Sequence, residues 1–435
     1  MRRFSLLLLP ALIYAQTYQE IIHDVDNALA LKSARQLQEA AKSMAEAAKG
    51  KNLPALDAQF SAAWLKDTPT VTFHIPGNPS LTAPMATKRN FTGSLKLSYP
   101  LFTGYAVTAS IDKAKFEYEK ATLEVLDLKR NLYLQATRLF GAVHAAEEVF
   151  NAKKEAKKAI DDAYNKAKGL YDNGMLPPAD LYNIEAKRYA IEAEIIGAES
   201  RKDQLLNQLS YLLDHPVESV EFSSNRSEKF DRHEILTAAL RNREDIAALQ
   251  RALKIDKSVE TLAKSRYYPT VGLAAELKRR GDTPELNGDG FTNPDQSYVG
   301  AALSWNLFNG FADKKSYEAA RYKTLAQTTA LNDYKNRVKT ELENAFLELA
   351  ALQSKLLSAK MEVKAQKEYY KLTKGRFENQ LASADELSRA IADLSAARAK
   401  ASAIESQIFT QQATIWLMAG VQVFEKTFLP NDTRK

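Results

Sequence analysis

The sequence predicts a mainly α protein with a β-barrel portion, built from one strand-to-long-helix unit stated twice. Three observations carry that expectation. The stretch Tyr99-Pro100-Leu101-Phe102-Thr103-Gly104-Tyr105 returns as Trp305-Asn306-Leu307-Phe308-Asn309-Gly310-Phe311, 206 residues later. Alternating apolar positions lead into each copy, the period-two pattern of a strand with one apolar face. A helical pattern leaves each copy, its apolar residues stepping by four and three, which marks a coiled-coil seam rather than a broad globular face.

The 435 residues include 45% hydrophobic and 26% charged side chains, with only 16 glycines and 14 prolines, so loops are scarce and long elements are expected. The net charge is +6, or +4 without Arg2 and Arg3, and no concentrated Lys/Arg face argues for nucleic acid. Residues 1–15 read as a signal peptide, with Arg2 and Arg3 at the positive end, Phe4 to Ile13 mostly apolar and Ala15 at the cleavage point. That apolar run is about half what a membrane-spanning helix needs, and no later stretch approaches ~18 consecutive apolar residues. The chain has no cysteine, which excludes disulfides, thiol chemistry and a lipid anchor on an N-terminal cysteine. Membrane insertion, if any, falls to strands.

Residues 16–214 form the first repeat. Its leading helix runs from Tyr18 to about Lys49, with Ile21, Val25, Ala28, Leu31, Leu37 and Ala41 on roughly helical spacing, and stops at Gly50 and Pro54. Leu56, Ala58, Phe60, Ala62 and Trp64 alternate as a strand, and Leu95, Leu97, Tyr99 and Leu101 as its return. Between them, His74 to Arg89 holds Pro76, Gly77, Pro79 and Pro84 and reads as a loop. The long helix extends from about Ser110 to Lys168, with Leu132, Ala136, Leu139, Val143, Ala146 and Phe150 in its seam. Asn173-Gly174 stops it, and Pro177-Pro178 opens a return helix that ends near Asp214.

Residues 215–233 form a polar connector, and residues 234–420 restate the plan. A helix from Glu234 to Arg266 leads to a strand carrying Val271, Leu273, Ala275 and Leu277. A polar loop from Arg279 to Ser297 follows, then a strand carrying Val299, Ala301, Leu303, Trp305 and Leu307. Val338, Leu342, Ala345, Leu349, Leu352 and Leu356 repeat the seam at the same offset of 206. The turn Gly169-Leu170-Tyr171-Asp172-Asn173 returns as Gly375-Arg376-Phe377-Glu378-Asn379. Residues 421–435 form a C-terminal tail.

Four strands with one apolar face cannot close on themselves, and open edges in lipid leave backbone groups unsatisfied. Several copies pooling their hairpins into one barrel, apolar side to lipid and polar side to water, resolve this. Trp64, Phe91, Tyr99, Phe102, Trp305, Phe308 and Phe311 lie near strand ends, where aromatic belts sit; ordinary core packing is the competing reading of each.

The order helix, hairpin, long helix, turn and return helix, stated twice behind a signal peptide, resembles the TolC family of outer-membrane efflux channels. The resemblance covers Tyr18 to about Gly420. It is carried by Leu101-Phe102-Thr103-Gly104 with Leu307-Phe308-Asn309-Gly310, by Tyr171-Asp172-Asn173-Gly174-Met175 with Asp180-Leu181, and by Arg243-Glu244-Asp245-Ile246. It implies a homotrimer with a twelve-stranded barrel in the outer membrane of a Gram-negative bacterium, continuing into a coiled-coil α-helical barrel across the periplasm. It implies passive export in a tripartite efflux pump or type I secretion system, docked to a periplasmic adaptor (membrane fusion) protein and an inner-membrane transporter. Leu101, Phe102, Gly104, Leu307, Phe308 and Gly310 then mark the junction where lipid-facing strands hand over to the periplasmic tube.

The same resemblance puts the periplasmic mouth at the helix turns, with Asp180, Glu386, Phe377 and Arg389 as constriction or gate candidates. A ring of carboxylates from several copies would focus cations. Two plainer readings stand beside it: Asp180 favours the macrodipole of a first helical turn, and Ser383-Ala384-Asp385-Glu386 reads as a capping box. The chain departs from the family's polar gate, with Phe377 in place of a tyrosine, Ala382 of an arginine and Arg389 of an acid. A closed mouth held by coiled-coil packing, with weak cation selectivity, is expected instead. The hairpin tips Asn173, Gly174, Met175, Asn379, Gln380 and Leu381 are the adaptor-contact candidates.

Lys153, Lys154, Lys157 and Lys158 form either a docking face or a solvated helix surface. His23, His74, His144, His215 and His233 are scattered without ligand spacing, so no metal site is expected. No nucleophile elbow or phosphate loop is present, which argues against an enzyme or a cofactor. The alternative reading is a periplasmic coiled-coil adaptor or scaffold whose strands form a small soluble domain.

Overall fold

The computed structural model describes residues 15–85, 87–223, 230–288 and 294–429. All of the expected signal peptide but Ala15, and residues 430–435 of the expected tail, lie outside them. The first repeat contains β1 (Gln16–Thr17), α1 (Tyr18–Val25), α2 (Leu29–Gly50), β2 (Ala55–Trp64), β3 (Thr70–Phe73), β4 (Leu81–Pro84), β5 (Arg89–Phe102), α3 (Ala106–Asp172) and α4 (Pro178–Leu213). After it come β6 (Val220–Glu221), α5 (Arg232–Asn242), α6 (Glu244–Lys264), β7 (Thr270–Gly281), β8 (Tyr298–Ser304), α7 (Ala312–Glu378), α8 (Ala384–Met418) and α9 (Val421–Thr427). The chain divides into two compact units, residues 38–121 with 249–330 and, separately, 15–37 with 122–248 and 331–429.

The duplication survives into the structure. Helices α3 and α7 each have 67 residues, and both their ends differ by the offset of 206 seen in the sequence. Each begins at a corner made by two consecutive left-handed residues, Gly104 (φ 59°) with Tyr105 (φ 73°) and Gly310 (φ 54°) with Phe311 (φ 65°). Glycine takes the first of these without the Cβ clash that makes this region costly, which explains why both junction motifs carry it.

In the first unit the sheet order is β2-β5-β7-β8, antiparallel throughout. Leu97 stands between Leu56 and Ala275, and Leu95 between Ala58 and Leu277. Lys96 stands between Asp57 and Glu276, and Ser94 between Gln59 and Lys278. Opposed residues share a face, so one side is apolar and the other polar. Two details differ from the expected strands. The segment read as a loop, His74 to Arg89, contains β4, which pairs with β3 just before that segment to form a ribbon, with the hydroxyls of Thr72 and Thr82 at 2.9 Å. Strand β8 ends at Ser304 rather than Leu307, because its partner β7 begins only at Thr270, after Pro269 and a 3₁₀ turn at Ser265–Tyr267.

In the second unit a core of Ile21, Ile22, Tyr133, Phe140, Leu209, Leu417, Phe424 and Phe428 joins α1, α3, α4, α8 and the C-terminal segment. The segment after Gly420 is therefore not a loose tail as far as residue 429: α9 and the residue after it bury Phe424 and Phe428 completely. Each leading helix, expected in one piece, is broken. Leu29 opens α2 with its N–H on the Asp214 carboxylate at 2.5 Å, and Arg243 adopts an extended conformation between α5 and α6. The connector is only partly polar, since Val217 and Val220 are buried and β6 pairs with β1 in parallel.

Candidate functional site at the helix-hairpin tips

The two tips close by the same hydrogen-bonding pattern. At the end of α3, Gly174 N–H donates to Tyr171 O at 2.8 Å and Met175 N–H to Leu170 O at 2.8 Å. At the end of α7, Gln380 N–H donates to Phe377 O at 3.0 Å and Leu381 N–H to Arg376 O at 2.7 Å. Both are Schellman closures around a left-handed residue, glycine in the first (φ 68°) and Gln380 in the second (φ 62°). Asn173 and Asn379 each return their side-chain amide to the carbonyl four residues back, at 2.6 and 2.7 Å. The tips also touch: Gln380 Nε2 lies 3.8 Å from Met175 Sδ.

Beneath the turns, Ala156, Ile160, Ala163, Leu181, Ile184, Leu387 and Ile391 enclose Phe377, which is 2% exposed. The candidate gate position is thus an apolar plug between helices within one chain. A cavity of about 350 Å³ lies beside it, with Asp162, Lys166, Lys374 and Glu378 around its rim.

The charged candidates separate. Ser383 Oγ accepts the N–H of Glu386 at 3.2 Å, which is half of the expected capping box. The Glu386 carboxylate does not return to the cap. It pairs with Arg376 at 2.8 Å, while a second Arg376 nitrogen donates to Leu381 O at 2.9 Å. Sequence reading missed Arg376; its spacing of ten residues from Glu386 follows no helical rule and depends on the turn between them. Arg389 pairs with Asp385 at 2.5 Å, one turn away on α8. Asp180 lies in the first turn of α4, and its carboxylate has no ion-pair partner among the described residues.

The motif Arg243-Glu244-Asp245-Ile246 builds a separate buried network in the same unit. Asp245 meets Arg243 at 2.6 Å, Arg130 of α3 at 3.0 Å and the Tyr334 hydroxyl of α7 at 2.7 Å. Burial alone would raise the Asp245 pKa, but the hydrogen bond and charge of Arg243, with Arg130, hold it below the usual carboxylate value. Glu244 accepts the N–H of Val421 at 2.8 Å, and burial pushes its carboxyl up. Arg243 Nη1 and Glu244 Oε2 are buried without a hydrogen-bond partner among the described residues.

At the strand-to-helix junctions, Phe102 packs edge-on to Tyr105 at 5.6 Å and Phe308 to Phe311 at 5.4 Å. Leu101, Leu307 and Phe308 are exposed. No group of three or more His, Asp or Glu among the described residues could hold a metal ion, and no described helix is long and apolar enough to cross a membrane.

An apolar-faced antiparallel sheet fed by two duplicated 67-residue helices defines the fold of an outer-membrane channel with a helical extension. The chain belongs to the outer membrane efflux protein family, whose sequence profile matches residues 23–215 and 235–421. It is an outer-membrane efflux channel, and the family is one of channels rather than enzymes. No curated protein matches it by sequence. Among solved structures it is similar to VceC of Vibrio cholerae, at 16% identity and TM-score 0.77, covering 93% of this chain and 96% of that one. The Campylobacter jejuni CmeC outer membrane channel gives 15% identity and TM-score 0.76, covering 94% and 85%. The open state of the Neisseria gonorrhoeae MtrE outer membrane channel gives 17% and 0.73, covering 93% and 89%. At these identities the likeness carries the fold.

Proposed function

We propose that the protein acts as a homotrimeric exit duct in the outer membrane of a Gram-negative bacterium. Three chains pool β2, β5, β7 and β8 into a twelve-stranded barrel, and the helices continue it into the periplasm. Residues 1–15 direct export, and the absence of cysteine leaves the barrel as the membrane anchor. The tips at Asn173–Met175 and Asn379–Leu381 meet a periplasmic adaptor, which links the duct to an inner-membrane transporter. Transport through the duct is passive. Asp180, Glu386, Phe377 and Arg389 line or brace the mouth, closed chiefly by the packing around Phe377.

The observation that carries this reading is the open sheet. Edge strands β2 and β8 are exposed along their whole length, with Leu56, Phe60, Trp64, Val299 and Leu303 bare. Such edges and faces are stable in lipid only when closed into a barrel. The helices give second support. On α4, Tyr182, Tyr189 and Ile196 recur every seven residues and are 63%, 61% and 61% exposed, an unfilled coiled-coil seam. On α7, Leu347, Met361 and Leu372 are similarly exposed. Each seam requires a helix that one chain does not supply.

Reconstitution into planar lipid bilayers tests the reading. Discrete, long-lived conductance steps from purified protein are expected. Protein that folds yet never conducts, and remains soluble without detergent, favours the periplasmic scaffold instead.

A further inference from the structure

The apolar face of the sheet does not stay apolar to its outer end. Away from the helices, the row through Leu97 and Leu95 passes Phe91 and finishes at Arg89, which stands opposite Trp64. On β7 the same row passes Leu277 and reaches Arg279, opposite Gly93. Lys66 follows two residues beyond Trp64, in a bend at the same end of the sheet. The same end of the sheet carries an aromatic group: Phe91 meets Trp64 edge-on at 5.7 Å and Phe60 at 6.4 Å, and Arg89 is the strand partner of Trp64.

Their height fits a membrane boundary. From Gly93 to Phe102 the strand advances nine residues. At ~3.4 Å each and a tilt of ~40° that is about 23 Å, close to the ~25 Å apolar band of a barrel. Arg279 therefore marks the outer edge of the band, and Arg89 lies beyond it. A lipid-facing charge is costly at the bilayer midplane and tolerated among headgroups, where Trp also concentrates.

The charges are also one-sided. On the polar face Lys96 stands between Asp57 and Glu276. At the inner end, Arg266 is matched by Asp313 at 3.5 Å. Lys66 and Arg89 have no acidic or hydrogen-bonding partner for their cations among the described residues. Arg279 is partly compensated: Asp295 stands across from it and interacts with it electrostatically, while also taking the N–H and hydroxyl of Ser297. The unmatched cations of Lys66 and Arg89, near the exposed rings of Trp64 and Phe60 at the level of the headgroups, are suited to phosphate, and a guanidinium can bind it bidentately.

We propose that Lys66, Arg89 and Arg279, beside Trp64, Phe60 and Phe91, bind the phosphate groups of anionic glycolipid in the outer leaflet. The site rests on the barrel reading above and adds to it a lipid partner at one rim.

Native mass spectrometry of the full-length, detergent-extracted assembly, titrated with diphosphorylated lipid A, tests this. The wild type is expected to bind it, with dephosphorylated lipid A binding far more weakly and excess inorganic phosphate failing to displace it. Arg89→Gln and Arg279→Gln are each expected to weaken binding about fivefold, the usual worth of one basic residue at an anionic surface. Lys96→Gln, on the polar face, leaves it unchanged. Equal binding of phosphorylated and dephosphorylated lipid, a comparison that needs no variant, overturns the proposal. So does a double arginine variant that migrates as a folded, heat-modifiable assembly yet binds like wild type. A wild type that is monomeric in detergent removes the barrel and this site together. A trimer without phosphate preference removes this site alone.

Discussion

Arg376 and Glu386 stand 2.8 Å apart across the α7–α8 turn, and the arginine also holds the carbonyl of Leu381 at 2.9 Å. This pair neutralises Glu386, one of the two candidate gate carboxylates, and leaves Asp180 as the other. Being partly exposed, the pair contributes only about 0–1 kcal/mol to stability. Its effect is on where charge remains.

Ion selectivity follows from that arrangement. A weak cation preference is expected, with Asp180→Asn lowering it roughly twofold and Glu386→Gln changing it less, since a paired carboxylate adds little field. Arg389→Ala frees Asp385 and raises the preference. Bilayer reversal potentials decide. A strong cation preference, abolished by Asp180→Asn and indifferent to Arg389→Ala, contradicts the account.

The proposed closure of the mouth rests on the packing around Phe377. Phe377→Ala removes a ring that is 2% exposed and is expected to cost about 3–5 kcal/mol locally. Hydrogen exchange should rise in the last turns of α7 and the first of α8, with larger mean conductance. Unchanged exchange there would mean that the plug is not what holds the turn.

The duplication, both long helices, the sheet's alternation and the two tip turns were all legible, because each is set by local periodicity or turn chemistry. The helix boundaries at Ala106 and Ala312 even keep the sequence offset. What the sequence hid depends on distant partners. The break before α2 is stabilised by Asp214, 185 residues away, and only the turn-favouring pair Asp26-Asn27 marks it locally. The β3–β4 ribbon lay inside a proline-rich stretch, where its four-residue strands are too short to show a period. Helix α9 looked like a tail because Phe424 and Phe428 find their core only through α1, α3 and α8. Of the site, the tip turns were readable, whereas Arg376 depended on the geometry of the turn it spans.

The buried network predicts opposite behaviour of neighbouring acids. Asp245, held below its ordinary value of 3.8, contributes stability in full above that value and loses it as pH falls through its lower folded pKa. Glu244, raised above 4.5, disfavours the folded state when ionised, so its contribution improves as pH falls through the raised value. Asp245→Asn, which strands two buried arginines, is expected to cost about 3–5 kcal/mol near neutral pH. Glu244→Gln keeps an oxygen for Val421 N–H and should change stability by about 1 kcal/mol or less. Thermal unfolding against pH checks both, and a larger loss for Glu244→Gln would reverse the assignment.

The twin corners are not equally tolerant. A Cβ at Gly104 would lie 2.6 Å from Ser265 O, whereas at Gly310 it meets open space. Gly310→Ala therefore carries only the left-handed backbone cost of roughly 1–2 kcal/mol, and Gly104→Ala adds a clash with backbone. Yields of heat-modifiable assembly should fall much further for Gly104→Ala, and equal yields would contradict the close approach.

The central claim is that one chain cannot close its own sheet. The most direct measurement is the mass of the native protein extracted by detergent from purified outer membranes, by light scattering corrected for bound detergent. The expected protein mass is three chains, dissociating on heating. A single chain, or recovery in the soluble periplasmic fraction, would contradict the trimeric barrel.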